Sequence, residues 1–264
     1  MFAALAYSGQ PRNFQKTWSN HVKYLIEPLE KQGFKVDIFC HFWYDENEIG
    51  KDYIPGSYLI GKNVDSKKFI SENIKTTKIK FEKPMQFNEF NITPDKRFPH
   101  PINRTLSMFK SWNRVASQIS DYETNNSLEY DLVFRMRTDL VFHNFFLNIS
   151  ELDLNNLYLL NRYVHLDYGV DDTFAFSNSK NIKSYLKIDE HLYEIIKQGA
   201  AVNPETLLGF YLIKFLGLKV ERINLQIKLF RVSYLKYSKF RFIGEIQKYF
   251  YYLFINLKSN LKKF

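Results

Sequence analysis

Three charged side chains stand two residues apart inside an apolar stretch, residues 130–142. They are Arg135, Arg137 and Asp139. Because an extended strand turns alternate residues to the same face, the pattern predicts two guanidinium groups and one carboxylate on one face of a buried strand. Buried cations are costly to desolvate unless anions meet them. Two interpretations follow: a structural ion-pair network of the arginines with Asp131 or Asp139, or a site that faces an anionic ligand, with or without a metal ion.

Polar side chains also follow the first predicted strand, in a loop that contains Ser8, Gly9, Gln10 and Arg12. A short loop with a glycine lets backbone N–H groups approach a phosphate or a base, and Arg12 adds a cation. Asp139 is a hard oxygen donor of the kind that Mg²⁺ or Mn²⁺ prefers. The loop and the central strand therefore predict a site for a phosphorylated ligand.

Two adjacent acids, Asp171 and Asp172, precede a short aromatic segment. One of them could hold a hydroxylated acceptor or take its proton, and the alternative is a cap for a helix or a turn. His41, at the end of the second predicted strand, could line the same site or be a packed core imidazole. In an open α/β sheet, ligands bind at the carboxyl ends of the strands, so we expect these segments to meet there.

The elements that would position these groups alternate between strand and helix. A strand over residues 2–7, a helix over 18–31 and a strand over 34–43 predict a parallel βαβ unit with a right-handed crossover. The other predicted helices cover residues 69–74, 102–119, 182–197, and a segment that Asn203 and Pro204 open and Gly217 closes. The other strands are predicted over residues 78–81, 130–142, 157–160, 173–176 and 220–230.

The composition is that of a folded protein, because 45% of the 264 residues are apolar and 17% are aromatic. No apolar run reaches about 18 residues, so no membrane-spanning helix is predicted. The first residues lack the basic region and the apolar length of a signal peptide. Cys40 is the only cysteine, which indicates a buried thiol and no disulfide within the chain. We therefore expect a cytoplasmic protein.

The positive charge is concentrated near the C-terminus. Of the 37 Lys and Arg residues, nine lie from residue 228 onward with a single acid, and the other 28 are balanced by 27 acids. Residues 240–261 combine an apolar stripe with a basic face, which is typical of a helix on an anionic membrane surface. The alternative is a terminal helix docked on the body with its basic face in solvent. A nucleic-acid binder would spread its basic face over the fold, so no nucleic-acid partner is expected.

Five segments follow one another along the chain: Ser8-Gly9-Gln10-Pro11-Arg12-Asn13, Phe39-Cys40-His41-Phe42-Trp43, Ser107-Met108-Phe109, residues 130–140, and Asp171-Asp172-Thr173-Phe174. In this order and spacing they resemble the GT-A-type glycosyltransferases of bacterial capsule and lipopolysaccharide gene clusters. The resemblance covers roughly residues 1–215. It implies an α/β fold with a GT-A-like (Rossmann-like) central, mostly parallel sheet flanked by helices. The basic amphipathic helix would be appended at the C-terminus.

By that resemblance, the loop after the first strand would contact the nucleotide of a sugar donor. Arg135 and Arg137 would lie near the donor diphosphate, and Asp171 or Asp172 would face the acceptor. Asp139 would occupy the place of the last Asp in the D-x-D metal motif of the family. Because Arg137 stands where the first Asp of that motif would be, either Asp139 alone holds Mn²⁺ or Mg²⁺, or the arginines replace the charge of the metal.

The resemblance implies a glycosyltransferase that moves a sugar from a nucleoside-diphosphate sugar to a glycan or lipid-linked glycan acceptor of a capsule or lipopolysaccharide. Residues 1–232 would form the transferase domain. Residues 233–264 would be a tail that holds the enzyme peripherally at the inner face of the cytoplasmic membrane. Two alternatives stay open: a non-catalytic glycan- or nucleotide-binding module, and a nucleic-acid-binding protein that uses the tail and whose affinity falls with salt.

Overall fold

A computed structural model describes residues 1–52, 62–85, 87, 102–143 and 147–230. The chain divides into two compact units, one of residues 1–49 and 64–230 and the other of residues 50–63 and 231–264. In the second unit an antiparallel bridge pairs Asp52 with Lys62, and the Gly50 N–H donates to the Asn63 carbonyl (2.8 Å). The predicted C-terminal amphipathic helix and the domain boundary after residue 232 lie outside the described residues, so both stay predictions.

The centre of the first unit is a seven-stranded sheet with the strand order β3-β2-β1-β4-β7-β6-β8. The strands in chain order are β1 Phe2–Gly9, β2 Lys35–Trp43, β3 Lys78–Glu82, β4 Leu132–Met136, β5 Leu140–Phe142, β6 Leu157–Leu160, β7 Phe174–Ser177, β8 Val220–Ile223 and β9 Ile227–Leu229. Strand β7 is antiparallel to both of its neighbours, whereas the other neighbouring pairs are parallel. The predicted α/β class with a mostly parallel central sheet is therefore confirmed.

Helices cover both faces of the sheet because successive strand residues point to opposite sides. The helices are α1 Phe14–His21, which continues through a π-helical turn Val22–Ile26 into α2 Glu27–Lys31, and α3 Ser66–Asn73, α4 Ile102–Asn126, α5 Ser179–Leu186, α6 Leu192–Lys197 and α7 Pro204–Gly209. On β4, Val133 packs in the cluster that contains α4 and α5, whereas Leu132 and Phe134 pack in the cluster that contains α1 and α2. None of the helices in the described part combines the length and apolar character that a membrane crossing needs.

The prediction of one continuous strand over residues 130–142 is wrong. The chain leaves the main sheet after Met136, and β5 pairs antiparallel with β9 in a separate two-stranded ribbon. The physical reason is the turn at Arg137-Thr138-Asp139, whose polar groups are satisfied by neighbouring loops rather than by a strand ladder. The Arg137 N–H donates to the Thr173 carbonyl (3.2 Å), and the Asp139 carbonyl accepts from the Phe230 N–H (2.6 Å).

Two other predicted elements are also divided. The strand expected over residues 220–230 is split into β8 and β9, which belong to different sheets. The helix expected over residues 182–197 is interrupted by a 3₁₀ turn, Ile188–His191, between α5 and α6. In both cases the apolar pattern of the sequence continues across a bend, because residues before and after the bend are both packed against the protein core. The pattern alone therefore does not show where the element ends. The Asn203 cap of α7 and the end of that helical segment before Gly217 (φ +66°) are confirmed.

Gly209 sets the approach of α7 to the loop before β7. A Cβ at this position would lie 1.5 Å from the Tyr168 carbonyl oxygen, so the helix and the loop would have to separate. We expect Gly209→Ala to lower the free energy of unfolding by about 1–3 kcal/mol, the usual cost of overpacking. Urea unfolding followed by circular dichroism measures the change. The control is Ser117→Ala on the exposed face of α4, and equal stability of the two variants would contradict the close approach.

Candidate functional site

The carboxyl ends of β1 and β4 mark the point at which the strand order reverses. Strands β2 and β3 extend the sheet from one side of β1, and β4 pairs with its other side with Tyr7 opposite Met136. Loops that leave adjacent strands in opposite directions open a crevice, and ligands of open α/β sheets bind in it. The loop after β1 and the turn after β4, both singled out by the sequence, therefore lie at the position where the topology favours a ligand.

Hydrogen bonds tie these two segments together. The Thr138 hydroxyl lies within donating distance of the Gln10 (3.4 Å) and Arg12 (3.2 Å) carbonyls, and the Thr17 hydroxyl donates to the Thr138 carbonyl (2.5 Å). Gly9 ends β1 with φ +99°, a conformation that glycine adopts without strain. The turn and the loop thus form one ordered rim of the crevice.

The side chains of the loop are arranged around that backbone. Arg12 donates from Nε (2.9 Å) and Nη2 (2.7 Å) to the Gln10 side-chain oxygen. The Ser8 hydroxyl is buried and has no hydrogen-bond partner among the described residues. The structure therefore brings all four predicted loop residues to the site, with Ser8 and Gly9 enclosed and Gln10 and Arg12 paired in front of them.

A chain of hydrogen bonds behind the loop involves His41. The Gly9 N–H donates to Ser111 Oγ (2.8 Å), which lies 2.8 Å from His41 Nδ1, and His41 Nε2 lies 3.0 Å from Glu82 Oε2. Burial lowers the pKa of His41, although Glu82 acts in the opposite direction. The Ser111 hydroxyl also donates to the His41 carbonyl (3.2 Å), so Ser111 contacts both the ring and the backbone of His41. His41 is thus a core imidazole that supports the loop from behind.

Arg137 and Asp139 form a bidentate ion pair. Arg137 donates from Nε to Asp139 Oδ1 (2.8 Å) and from Nη2 to Oδ2 (2.7 Å). Burial alone would lower the pKa of Arg137, but the charge of Asp139 and these two bonds outweigh it, so the pKa of Arg137 is raised. Asp139 is almost completely buried, whereas 22% of the Arg137 side chain is exposed. The ion pair of Arg137 with Asp139 that one interpretation predicted is therefore present, and part of the Arg137 side chain stays exposed.

The same pair decides how well a divalent cation fits. Both carboxylate oxygens of Asp139 already accept hydrogen bonds from Arg137. No group of three or more His, Cys, Asp or Glu side chains that could hold a metal ion occurs within the described ranges. Arg137 therefore balances the charge of Asp139 in the described residues, and the predicted Mn²⁺ or Mg²⁺ site at Asp139 stays a prediction.

Arg135 has a different environment from Arg137. Only 1% of it is exposed, its guanidinium carbon lies 4.0 Å from the ring centroid of Trp112, and its Nε and Nη1 have no hydrogen-bond partner among the described residues. Burial lowers the pKa of Arg135, while Tyr185 and Asp172 act to raise it. Asp131 instead accepts from the Phe2 N–H (2.7 Å). Arg135 is therefore a buried cation, held on an aromatic face, whose positive charge is directed toward the acids before β7.

The two adjacent acids play different parts. Asp171 Oδ1 accepts from the Thr173 N–H (2.7 Å), the Thr173 hydroxyl and the Phe174 N–H (3.2 Å), and Oδ2 accepts from Arg162 Nη1 (3.2 Å). Asp171 is thus fully used in the turn that starts β7. Asp172 is 8% exposed, and burial raises its pKa, opposed by Arg135 and reinforced by Asp171. Of the two predicted acids, Asp172 is the one available to a ligand.

Glu205 is an acid near Asp172 that the sequence interpretation did not single out. It lies in the first turn of α7, where its N–H donates to the Asn203 side chain (2.9 Å) and its carbonyl accepts from the Val170 N–H (3.2 Å). Burial and the charge of Asp172 raise the pKa of Glu205 to about 7, although a hydrogen bond with Tyr163 acts to lower it. The sequence identified the Asn203 cap, but nothing along the chain indicates that α7 packs beside Asp172.

The chain matches no protein-family model and no curated protein. Solved structures similar to it include the apo-form glycosyltransferase GlyE of Streptococcus pneumoniae TIGR4, with 12% identity, a TM-score of 0.38 and coverage of 83% of this chain and 44% of that one. Another is a glycosyltransferase involved in the glycosylation of the major capsid of PBCV-1, with 10% identity, a TM-score of 0.38 and coverage of 84% and 81%. The chain thus spans less than half the length of the GlyE structure, and similarity at this level carries no argument about activity.

Two arginines near the acids, the buried Arg135 and the partly exposed Arg162, give opposite expectations for stability. Arg135→Met removes a cation with unpaired donors and fills its volume, so we expect the free energy of unfolding to stay constant or rise by up to about 4 kcal/mol. Arg162→Met, the matched control, removes a cation that is bonded to Asp171 and to the Ile227 carbonyl, and should cost about 1–3 kcal/mol. Urea midpoints at neutral pH compare them. A larger loss of stability for Arg135→Met than for Arg162→Met would mean that Arg135 stabilises the fold, which would contradict its description as a strained cation.

Glu205 should make stability depend on pH. Its pKa in the folded protein, about 7, lies above the ordinary value of 4.5, so the folded state binds this proton more tightly than the unfolded state. The resulting contribution to stability is complete below the ordinary pKa and is lost as the pH rises through about 7. We therefore expect Glu205→Gln to gain stability relative to wild type as the pH rises across this window.

Thermal unfolding of the two proteins over that pH range measures the difference. The control variant is Glu30→Gln, a change of the same kind on an exposed position of α2. It should track the wild-type curve at every pH. Parallel curves for wild type and Glu205→Gln would show that Glu205 keeps an ordinary pKa.

Proposed function

We propose that this chain is a glycosyltransferase that moves a sugar from a nucleoside-diphosphate sugar onto a glycan acceptor of a surface polysaccharide. The observation that carries the proposal is the rim at the switch point, where the loop after β1 and the Arg137-Thr138-Asp139 turn are bonded together. At this rim 22% of the Arg137 side chain is exposed, and its positive charge favours an anion there. Asp172 lies in the turn before β7, the strand that neighbours β4, and a hydroxylated acceptor would meet the donor there.

Arg137 would bind the diphosphate of the donor. A guanidinium has five N–H donors, and Asp139 uses two of them. The remaining donors can meet phosphate oxygens while the carboxylate holds the plane of the guanidinium fixed. Asp139 would therefore position Arg137, and the positive charge of Arg137 already balances the negative charge of Asp139. Donors that are fixed in advance stabilise the charge that develops on a leaving diphosphate without reorganising during the reaction.

Arg135 would act through its field rather than by contact. Arg135 lies near the end of β4, two residues before Arg137. Trp112 screens its guanidinium from water. A charge in such a poorly polarisable environment acts over a longer distance than a charge in water. Together the two cations favour an anionic donor on the side of β4, and the acids before β7 favour a neutral, hydroxyl-bearing acceptor on the other side.

The capsule or lipopolysaccharide acceptor and the contact of residues 233–264 with an anionic membrane belong to the same proposal. They rest on the order of the sequence motifs and on the charge of the C-terminal segment. A lipid-linked glycan would place the acceptor near such a membrane, which is why the two features fit one function. The nucleotide, the sugar and the acceptor would be identified by binding.

The experiment is thermal stabilisation by UDP-, GDP-, CMP- and dTDP-linked sugars, each with and without Mn²⁺. A ligand of the folded state at about 100 times its dissociation constant adds about 2.7 kcal/mol of stability, which is readily seen as a rise in Tm. We expect one nucleotide class to raise Tm equally in both conditions, because Arg137 rather than a metal meets the diphosphate. Arg137→Gln should abolish the rise, whereas Arg114→Gln, the exposed control on α4, should keep it.

Two outcomes would contradict parts of this proposal. If none of the nucleotide sugars stabilises the folded protein, the donor site is wrong. If the rise in Tm needs Mn²⁺, the donor site stands but the charge-neutralising role of Arg137 without a metal does not. Stabilisation without release of nucleoside diphosphate on prolonged incubation with an acceptor extract would instead favour a non-catalytic binding module.

A further inference from the structure

A groove lies between α5 and the C-terminal part of α4. Its volume is about 360 Å³, which is at the lower end of the range of about 300–1,000 Å³ that is usual for ligand pockets. We call it the α5 groove. One side of it is formed by α4 and the segment before β4, and the other by α5. The lining residues are Ser120, Glu129, Lys180, Lys183, Ser184 and Lys187.

The α5 groove is separate from the crevice in which the proposed donor site lies. Val133, near the start of β4, pairs with Ser177 at the end of β7, and α5 begins directly after that point. The helix therefore starts beside the amino end of β4. The crevice lies beyond Met136, at the opposite end of the same strand.

A buried carboxylate joins the walls of the groove. Glu123 of α4 is 6% exposed. Its Oε1 accepts from the Tyr130 N–H (3.0 Å) and the Ser179 hydroxyl (2.5 Å), and its Oε2 accepts from Lys183 Nζ (2.6 Å). These bonds connect α4, the segment before β4 and α5, which are the three parts of the chain that line the groove. The shape of the groove is therefore fixed by the fold.

The lining of the α5 groove carries an excess of positive charge. Its three lysines recur at positions i, i+3 and i+7, so they follow one face of α5. The charge of Lys183 is balanced by Glu123. Lys180 and Lys187 form no ion pair within the described ranges. Glu129 is the one acid in the lining, so three ammonium groups face a single carboxylate, and the groove favours an anion.

The other lining groups favour a ligand that also has hydroxyls. Each of the six side chains carries a hydroxyl, a carboxylate or an ammonium group, and none is aromatic. Most pockets for small molecules are lined mainly by apolar and aromatic side chains, so a lining of this kind suits a hydrophilic ligand. The hydroxyls of Ser120 and Ser184 can donate and accept, and the Glu129 carboxylate can accept from a hydroxyl. A sugar ring with an acidic substituent offers both kinds of group.

We propose that the α5 groove binds an anionic saccharide. Lys180 and Lys187 meet its acidic groups, and Glu129 and the two serines bond to its ring hydroxyls. The inference goes beyond the proposed function, because it assigns a second site at the other end of β4 from the donor site. Binding there requires no turnover, so it is measured independently of any transferase activity.

The test is isothermal titration calorimetry of the full chain with trigalacturonate, an acidic saccharide, and with maltotriose, a neutral one of the same length. We expect saturable binding of trigalacturonate alone at low ionic strength. The double variant Lys180→Gln/Lys187→Gln should weaken it by about 5–30-fold, the effect of losing two exposed charge contacts. Lys180→Arg/Lys187→Arg keeps both charges and should keep the affinity. Salt should weaken binding, because the screening length falls from about 10 Å at 0.1 M to about 3 Å at 1 M.

The basic C-terminal segment is the competing site for the same probe, because nine Lys and Arg residues lie from residue 228 onward. The matched control is therefore Lys258→Gln/Lys262→Gln, which removes two charges from that segment and should leave the affinity unchanged. Circular dichroism and urea midpoints establish that each double variant is folded as wild type is. Both pairs of substitutions change the net charge equally, so a difference between them reports the site of binding.

Three results would overturn the inference. Wild-type affinity in Lys180→Gln/Lys187→Gln would move the binding site away from the groove. Equal binding of maltotriose would remove the role of charge. Displacement of trigalacturonate by an equal concentration of inorganic phosphate would show a site for anions in general, and the saccharide class would be wrong. Failure of every nucleotide sugar to raise Tm, with trigalacturonate binding intact, would instead overturn the proposed function and leave this inference standing.

Discussion

The cost of burying the charge of Arg135 is the constraint on which the site depends. Its guanidinium lies between the sheet and α4, with two donor nitrogens unpaired, so its field is opposed by little polar material. The face of Trp112 offsets part of that cost. Burial lowers the pKa of Arg135, and Asp172 acts against this effect. Burial raises the pKa of Asp172, and Arg135 acts against it in turn.

A second arrangement separates the charges that must meet different ligands. Arg137 is paired with Asp139 after the end of β4, and Asp172 precedes β7, the strand that neighbours β4. The pKa of Arg137 is raised because the charge and bonds of Asp139 outweigh burial, and burial raises the pKa of Asp172. In the proposed function, Arg137 would meet the anionic donor and Asp172 would meet the hydroxyl of the acceptor.

The scaffold makes this separation possible with few residues. Thr138 ties the β4 turn to the loop after β1, and Ser111 and His41 support Gly9 from the opposite side. Gly169 and Gly209 allow a loop and a helix to come closer than any side chain would permit. The bonds of Thr138, Ser111 and His41 and the close approach at Gly209 join segments that are far apart in the sequence, whereas the close approach at Gly169 lies within one loop.

The sequence by itself determined the α/β class, the parallel unit of β1 and β2, and the identity of most charged residues in the site, because apolar periodicity and strand-end polarity are local properties of a chain. It could not show that residues 130–142 bend at Thr138, since that bend is stabilised by carbonyls of Gln10 and Arg12. It also could not separate the roles of Asp171 and Asp172, which are adjacent in the chain and differ only in what surrounds them. Glu205 is the clearest case: burial and the charge of Asp172 raise its pKa to about 7, and both depend on tertiary packing that no local sequence pattern shows.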